Sequence, residues 1–231
     1  MDLRKIIIIL FITITQSITG KSAGNGNAPS VMLKENKTNV IIVLADDQGY
    51  GDFSCHGNPI LKTPALDKLH HESIRFSDFH VSPLCTPTRG QLLTGVDALR
   101  NKAATVLTAR NIIKRDLITM PEIFLNSGYS TGIFGKWHLG DSYPDRPMDK
   151  GFQKCIWHKG WGLRSEIEFD NDYYETRYLD DHDVKYSNKY CTNLWFDKAM
   201  SWMEEMASSN RPFFSYIALR SEEHTSELQS L

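Results

Sequence analysis

The amino-acid sequence predicts an α/β fold with a mixed, mainly parallel sheet. Short apolar runs alternate along the chain with amphipathic segments of helical period, as when strands and helices follow one another. The clearest strand is Asn39–Ala45, a continuous β-branched apolar run typical of a strand buried on both faces. Composition agrees, since 41% of the residues are hydrophobic and 23% are charged, as in ordinary globular proteins.

The next three elements are predicted from local signals. Pro64–Glu72 is a predicted helix, because Thr63 suits the N-cap and proline suits the first helical position. Ile74–His80 alternates between apolar and polar residues and is therefore a predicted strand. Thr86–Thr94 is a predicted helix that ends at Gly95, since glycine is favoured just after a helix.

The second half of the chain continues the alternation. Met120–Asn126 is a predicted helix, and Ser130–Phe134 is a predicted strand that runs into a glycine. Residues 145–183 are aromatic, charged and irregular, so we expect surface loops there. Thr192–Met206 has apolar residues at helical spacing, and Phe213–Leu219 is the final predicted strand.

The N-terminus has the pattern of a secretory signal peptide. Arg4 and Lys5 precede the apolar run Ile6–Ile14, and small and polar residues follow it. This run of about nine residues is shorter than the roughly 20 that span a bilayer. We therefore expect residues 1–23 to be removed on export and residues 24–38 to form a linker, with a buried N-terminal strand as the alternative. Export predicts a secreted, periplasmic or lysosomal protein without a membrane span.

Net charge argues against nucleic-acid binding, and the cysteine spacing argues against a zinc motif. The formal net charge is −2 and the basic residues form no stripe, which argues against a nucleic-acid partner. The four cysteines are Cys55, Cys85, Cys155 and Cys191, and their spacings match no zinc motif. In an oxidising compartment an even number of cysteines allows disulfides, without fixing which of them pair.

Two adjacent carboxylates follow the first predicted strand. Ligands of such sheets gather at the carboxyl ends of the strands, where Asp46, Asp47 and Lys136 would all lie. Two like charges in a poorly solvated crevice are costly unless a cation offsets them, and carboxylate oxygens suit Ca²⁺ or Mg²⁺. By itself the pair favours an ordinary turn at Gly49, with a metal site as the alternative.

A short motif that begins at Cys85 carries the strongest functional signal. It reads Cys-Thr-Pro-Thr-Arg-Gly-Gln-Leu-Leu-Thr-Gly, and its Cys-x-Pro-x-Arg core resembles the signature of the type I, formylglycine-dependent sulfatases. Three more segments resemble motifs of that family in the family's order: Asp46–Asp52, Lys62–Leu69 and Gly135–Gly140. The resemblance covers about residues 39–219 and identifies an arylsulfatase-like member of the alkaline-phosphatase superfamily.

This resemblance implies a fold and a modified residue. The fold would be alkaline-phosphatase-like, a mixed and mainly parallel sheet sandwiched by helices. A formylglycine-generating system would oxidise Cys85 to an aldehyde, and one hydroxyl of the aldehyde hydrate would attack sulfur while the other later expels sulfate. Asp46, Asp47 and the modified Cys85 would bind the metal, usually Ca²⁺, with Mg²⁺ as the alternative. At most one disulfide would then join the other three cysteines.

The resemblance also assigns roles to three more residues. Arg89, one turn along the helix that starts near Cys85, would hydrogen-bond the modified residue. Lys136 would hold a sulfate oxygen as a point charge. His138 would take a proton from the hydrate, and on a strand-like segment it would share a face with Lys136. The implied reaction is hydrolysis of an aryl or carbohydrate sulfate ester, with a phosphonate or phosphate ester hydrolase as the alternative.

The chain departs from the family pattern after its last predicted strand. The family continues with a Pro-His pair, an Asp-Asn pair and another lysine, which do not follow here. Residues 220–231 instead resemble a translated sequencing adapter, which we interpret as an assembly artefact, with a genuine polar tail as the alternative. We therefore expect the N-terminal part of a sulfatase catalytic domain, and an inactive truncated fragment is the other interpretation.

An aromatic segment and one more histidine complete the candidates. Trp157–Tyr178 contains Trp161, Phe169, Tyr173 and Tyr174, whose rings would either stack on sugar rings or cover the core. This segment favours a sulfated carbohydrate over a small aryl sulfate as the partner. His158 is expected at the surface.

Overall fold

A computed structural model describes residues 6–8, 37–106, 111–160 and 172–219 of the chain, and its centre is a seven-stranded sheet. The strands are β1 (Ile6–Ile8), β2 (Asn39–Leu44), β3 (Ser130–Lys136), β4 (Lys154–His158), β5 (Thr176–Asp180), β6 (Asp183–Ser187) and β7 (Phe213–Ala218). Their order is β1-β2-β7-β3-β4-β5-β6. The first five strands in this order are parallel, and β5 and β6 extend the sheet with antiparallel pairs. The predicted mixed, mainly parallel sheet is confirmed.

Five helices of the described chain accompany the sheet. They are α1 (Pro64–Glu72), α2 (Cys85–Thr94), α3 (Ala98–Asn101), α4 (Met120–Asn126) and α5 (Cys191–Ser208). The helix α2 ends at Gly95, which has φ 65° and donates its N–H to Gln91 O over 2.8 Å. Thr63 is the N-cap residue of α1, but its hydroxyl donates to the Asp67 carboxylate instead of capping a backbone N–H. The predicted helices are confirmed to within one or two residues.

The sheet carries a hydrophobic core on each face, because side chains alternate along a strand. On β7, Phe214 and Tyr216 belong to the core on the face where α4 packs, and the ring of Phe214 stacks on Phe124 at 4.4 Å between centroids. The neighbouring residues Phe213 and Ile217 belong to the opposite core, which the apolar face of α5 covers. The sheet is therefore enclosed between helices.

The prediction of a strand at residues 74–80 is wrong. These residues form irregular backbone with a bend at residues 77–78, and Ile74, Phe76 and Phe79 are exposed. An alternating pattern gives a stable strand only where a neighbouring strand supplies hydrogen bonds and a face to pack on. None of the described strands pairs with this segment.

The prediction of surface loops over residues 145–183 is wrong for Lys154–His158 and Thr176–Asp180. That stretch supplies β4 and β5, and Cys155, Ile156 and Trp157 of β4 are fully buried. The charged residues that suggested a loop neutralise one another, since Lys154 forms ion pairs with Asp180 and Asp181. Opposite charges paired across neighbouring strands allow a polar sequence to remain in the sheet.

The ends of the chain lie largely outside the described residues. Within the predicted signal segment, Ile6–Ile8 pairs in parallel with β2, so that Ile6 lies opposite Asn39. The rest of that segment, nearly all of the predicted linker and residues 220–231 fall outside the described ranges. Both predictions for the chain ends stay predictions. Within the described ranges, no helix combines the length and apolarity that crossing a membrane requires.

Candidate active site

Three parallel strands end next to one another and bring distant residues together. The strand β7 lies between β2 and β3, and all three run in the same direction. Asp46 follows the end of β2, Leu219 follows β7, and Lys136 is the last residue of β3. The carboxyl ends of parallel strands are where ligands bind in such sheets.

Asp46 accepts hydrogen bonds from two cationic side chains. The Nζ atom of Lys136 lies 2.7 Å from Oδ2, and Nη2 of Arg89 lies 3.1 Å from Oδ1. Burial opposes ionisation of the Asp46 carboxyl, but the charges and hydrogen bonds of Arg89 and Lys136 lower its pKa to about 2. The carboxylate is therefore ionised at neutral pH.

Arg89 reaches from α2 across the ends of the strands. Its side chain is buried, and Nη1 donates to the carbonyl oxygen of Lys136 over 2.9 Å. The Nη2 atom also lies 3.5 Å from the carbonyl oxygen of Leu219, at the limit of a hydrogen bond. Burial disfavours the charge, but Tyr216 and Asp46 more than offset it and raise the pKa of Arg89. The guanidinium is thus a permanent buried cation of the site.

Lys136 is a second buried cation in contact with the same carboxylate. Burial and the neighbouring Arg89 lower the pKa of its ammonium group, and Asp46 opposes this shift. Two cations share one carboxylate here, so the three charged groups carry a net charge of about +1 when Lys136 is protonated. A buried group with this excess charge favours an anionic ligand.

Cys85, Thr86 and His138 form a second part of the site. The Sγ atom of Cys85 lies 3.3 Å from Nδ1 of His138, and Oγ1 of Thr86 lies 3.2 Å from both ring nitrogens. Cys85 is the first residue of α2, whose N-cap Leu84 has no side-chain hydrogen bond to the helix. The start of the helix therefore presents backbone N–H groups and a positive dipole end next to residue 85.

The chain turns sharply between Lys136 and His138. Gly135 has φ +110°, and a Cβ atom there would lie 2.1 Å from the carbonyl oxygen of Ala218, so only glycine fits between β3 and β7. His138 has φ 60°, in the left-handed region. The expectation that Lys136 and His138 share a strand face is therefore wrong, because β3 ends at Lys136. Lys136 contacts Asp46, whereas His138 contacts Cys85 and Thr86.

Asp47, the second predicted metal ligand, follows Asp46 directly but is not part of the buried group. It is solvent-exposed and has φ 56°, a left-handed conformation that aspartate tolerates better than most residues. As donors, the ionised Asp46 and the exposed Asp47 suit a hard cation, since Ca²⁺ and Mg²⁺ bind carboxylate oxygens. Ca²⁺ takes about six to eight oxygen ligands, and these two carboxylates supply only some of them. The donor type fits, and further ligands must complete the sphere.

The sequence prediction missed Thr86 and was wrong about the position of His158. Thr86 occupies a variable position of its motif, so nothing in the sequence marks its contact with His138. His158, expected at the surface, is fully buried at the end of β4, opposite Lys136 in the sheet register. Its ring lies 6.1 Å from that of Trp195. Only the register of β4, which the sequence did not predict, places it there.

The aromatic segment divides between core and surface. Trp157 and Tyr173 are buried, so they cover the core, whereas Tyr174 is 64% exposed. Trp161 and Phe169 lie outside the described residues. The ring of Tyr174 lies 5.3 Å from that of Tyr190, so an aromatic surface exists beside the start of α5.

Comparison with known proteins finds sulfatases among the similar sequences. Arylsulfatase G of Canis lupus familiaris is 29% identical over 223 residues, which cover 83% of this chain and 41% of that protein. N-acetylgalactosamine-6-sulfatase of the same species is 30% identical over 202 residues, which cover 78% of this chain and 39% of that protein. The chain thus spans about two fifths of the length of these curated relatives.

Solved structures share the fold as well. Ps i-CgsB superposes with a TM-score of 0.72 at 25% identity, over 80% of this chain and 45% of that one. BT4656, solved in complex with its substrate D-glucosamine-2-N,6-O-disulfate, superposes with a TM-score of 0.62 at 28% identity, over 78% of this chain and 34% of that one. The family model named Sulfatase matches residues 38–226. Since this match covers most of the chain and the fold agrees with it, the chain belongs to the sulfatase family.

Proposed function

We propose that the protein carrying this segment hydrolyses sulfate esters at the site around Cys85. The observation that carries the proposal is the buried group of Asp46, Arg89 and Lys136 beside the first turn of α2. A sulfate ester brings one negative charge and several acceptor oxygens. A site with an excess buried positive charge and free backbone N–H groups suits such an anion.

Residue 85 is the proposed nucleophile. Cys85 is the first residue of α2. It is half-buried, and its sulfur lies 3.3 Å from Nδ1 of His138. Oxidised to formylglycine, it would supply a hydrated aldehyde, whose two hydroxyls allow attack and later release. A divalent cation, proposed as Ca²⁺ with Asp46, Asp47 and residue 85 among its ligands, would supply Lewis acidity and neutralise sulfate charge.

His138 is the proposed base. Its Nδ1 atom lies 3.3 Å from the Cys85 sulfur, so it is within reach of a proton on residue 85. The hydroxyl of Thr86 lies 3.2 Å from both ring nitrogens and orients the imidazole. Lys136, buried beside Asp46, is proposed to hold a sulfate oxygen, and Arg89 to hold Asp46 and the strand ends in place.

The proposed substrate class is a sulfated carbohydrate, acted on outside the cytoplasm. BT4656 was solved with a disulfated glucosamine, which supports a sugar sulfate as the ligand of this fold. The exposed Tyr174 beside Tyr190 adds a surface on which a sugar ring can stack. Export is proposed from the apolar segment that begins at Ile6.

The test is sulfate release by the full-length protein, produced together with a formylglycine-generating system. Mass spectrometry of the peptide containing Cys85 reports the aldehyde, and a chromogenic aryl sulfate reports turnover. We expect Cys85→Ala to abolish turnover and Lys136→Ala to lower it by about 10²–10³-fold, the loss typical of removing one group that stabilises transition-state charge. Lys68→Ala is the control, because Lys68 lies exposed on α1, and it should keep full activity.

A matched aryl phosphonate separates sulfate from phosphoryl chemistry. Faster turnover of the phosphonate than of the sulfate would replace the proposed function with that of an ester hydrolase for phosphonates. Full turnover by the Cys85→Ala variant would exclude residue 85 as the nucleophile. Addition of a chelator should remove activity, and Ca²⁺ should restore it if the metal is the proposed one.

A further inference from the structure

A cysteine and two histidines lie together in a part of the chain that the proposed reaction does not use. Cys55 and His56 belong to the 3-10 turn Ser54–His56, and His70 lies on α1. One ligand atom from each side chain, the Cys55 sulfur and a ring nitrogen of each histidine, lies within 4.8 Å of the others. All three side chains are half-buried.

We propose that Cys55, His56 and His70 bind a transition-metal ion such as Zn²⁺. Thiolate and imidazole are the ligands that Zn²⁺ prefers, whereas Ca²⁺ and Mg²⁺ bind oxygen. Zinc bonds of about 2.3 Å to sulfur and 2.0–2.1 Å to nitrogen place tetrahedral ligand atoms roughly 3.5 Å apart. The ligand atoms would therefore approach one another by about 1.3 Å at most, leaving a fourth position for water or another ligand.

The tautomer of His56 suits this role. Its Nδ1 atom lies 2.7 Å from the carbonyl oxygen of Tyr50, so the ring N–H donates there and Nε2 keeps its lone pair. A backbone carbonyl in this position is the usual partner of a metal-binding histidine. The ring of Tyr50 also stacks on His56, with 4.0 Å between centroids and 7° between planes, which fixes the imidazole orientation.

His70 supplies an independent observation. Its Nδ1 atom is buried and has no hydrogen-bond partner among the described residues, while Nε2 lies 3.5 Å from Nη1 of Arg75. Buried polar atoms are rarely left without a partner, because the loss of water then has no compensation. A metal ion bound to Nδ1 would supply that compensation.

Asp67 holds the cysteine next to α1. Its carboxylate accepts the backbone N–H of Cys55 over 2.9 Å, and it also accepts the hydroxyls of Ser54 and Thr63 over 2.6 and 2.9 Å. On metal binding the Cys55 S–H bond would break, its proton would pass to solvent and a sulfur–metal bond would form, with no change of oxidation state. The ion would then join the 3-10 turn Ser54–His56 to α1.

The test uses the full untagged chain with the substitution Cys85→Ser, so that Cys55 is its only half-buried cysteine. Co²⁺ is added to the metal-free chain as a spectroscopic probe. We expect one equivalent to produce a thiolate-to-cobalt charge-transfer band in the near ultraviolet, and Zn²⁺ to abolish that band. Cys55→Ala should remove the band, and His70→Ala should raise the dissociation constant by at least about 100-fold.

The matched control is His71→Ala, the next residue of α1, which is exposed and lies outside the group of three. It should bind Co²⁺ like the parent. A charge-transfer band that survives Cys55→Ala would overturn the proposal. An equal loss of Co²⁺ affinity in His70→Ala and His71→Ala would also overturn it. X-ray absorption of the zinc-loaded parent needs no variant: one sulfur and two imidazole nitrogens are expected, and a shell without sulfur would also overturn it.

Discussion

Asp46 is the anion on which two buried cations of the site depend. Asp46→Asn keeps the shape of the side chain but leaves Arg89 and Lys136 buried without a counter-charge. Removing one partner of a buried ion pair costs about 3–5 kcal/mol, so the free energy of unfolding should fall by this order in a urea titration. Asp47→Asn is the control, since an exposed substitution changes stability by less than about 0.5 kcal/mol. Equal losses in the two variants would contradict the prediction.

The effect of Asp46→Asn on stability should also depend on pH. Burial opposes the charge on Asp46, but Arg89 and Lys136 lower its pKa to about 2, below the value of about 3.9 in an unfolded chain. A pKa lower in the folded state gives a stabilisation that is complete above the unfolded pKa and is lost as pH falls. The stability difference between the parent and Asp46→Asn should therefore shrink between about pH 4 and pH 2. A difference that stays constant would contradict this cause.

At the scale of residues, the sequence predicted the ionisable groups of the site but not the hydroxyl of Thr86. Asp46 and Lys136 follow apolar strands, and a strand end is visible in a sequence. His138 was predicted from its motif, but its left-handed backbone was not, because no glycine or turn signal marks that position. The hydroxyl of Thr86 could not be predicted, since its contact spans 52 positions of the chain.

Among the elements, α2 owes its position to a glycine in its interior. A Cβ atom on Gly90 would lie 2.8 Å from Cβ of Ala103, so the helix packs on the segment after α3 at a distance that only glycine permits. Gly90→Ala gains about 1 kcal/mol of helix propensity but adds a methyl group to a filled space, which costs about 1–3 kcal/mol. We expect a net destabilisation of about 1 kcal/mol in thermal or urea unfolding.

The control for this substitution is Gly51→Ala, because a Cβ atom on Gly51 meets nothing within 4 Å. Its stability should stay close to that of the parent. A Gly90→Ala variant that is more stable than the parent would show that α2 can shift without cost, and the close packing would then not explain the glycine.

Elements with their own signals were predicted well, and those that depend on neighbours were not. Helices such as Pro64–Glu72 and Met120–Asn126 carry proline near their first turn and polar residues at the cap. The strand Lys154–His158 has no such signal, and its charged end is neutralised by Asp180 of the following strand and by Asp181 just after it. The alternation at residues 74–80 is real, but no described strand lies beside it. Pairing is a property of the whole sheet, which local patterns do not contain.

In the whole molecule, the four cysteines differ in access. All four lie in the described part of the chain without a disulfide bond between them. Cys155 and Cys191 are buried in the two cores, whereas Cys55 and Cys85 are half-buried. Burial also raises the pKa of the Cys155 thiol far above its usual value, which removes its reactive thiolate. When the metal-free chain is produced in a host without a formylglycine-generating system, an alkylating reagent should label Cys55 and Cys85 first.

Cys155 and Cys191 should react only when denaturant unfolds the chain, so their labelling rate should follow the unfolding curve. Peptide mass spectrometry assigns each labelled cysteine. Labelling of Cys155 in the native state at a rate like that of Cys55 would contradict the burial of β4.

The buried guanidinium of Arg89 has a consequence for how the chain is made. Its three oxygen partners lie 43, 47 and 130 positions away along the chain, on Asp46, Lys136 and Leu219. Leu219 leaves the ribosome only after β7 has been synthesised, so we expect the Arg89 guanidinium to stay hydrated until β7 pairs with β2 and β3. Closing such long loops is slow because their entropy is lost before the contacts form. The strand β7, which lies between β2 and β3, therefore joins the two parts of the sheet and encloses the charge in the same step.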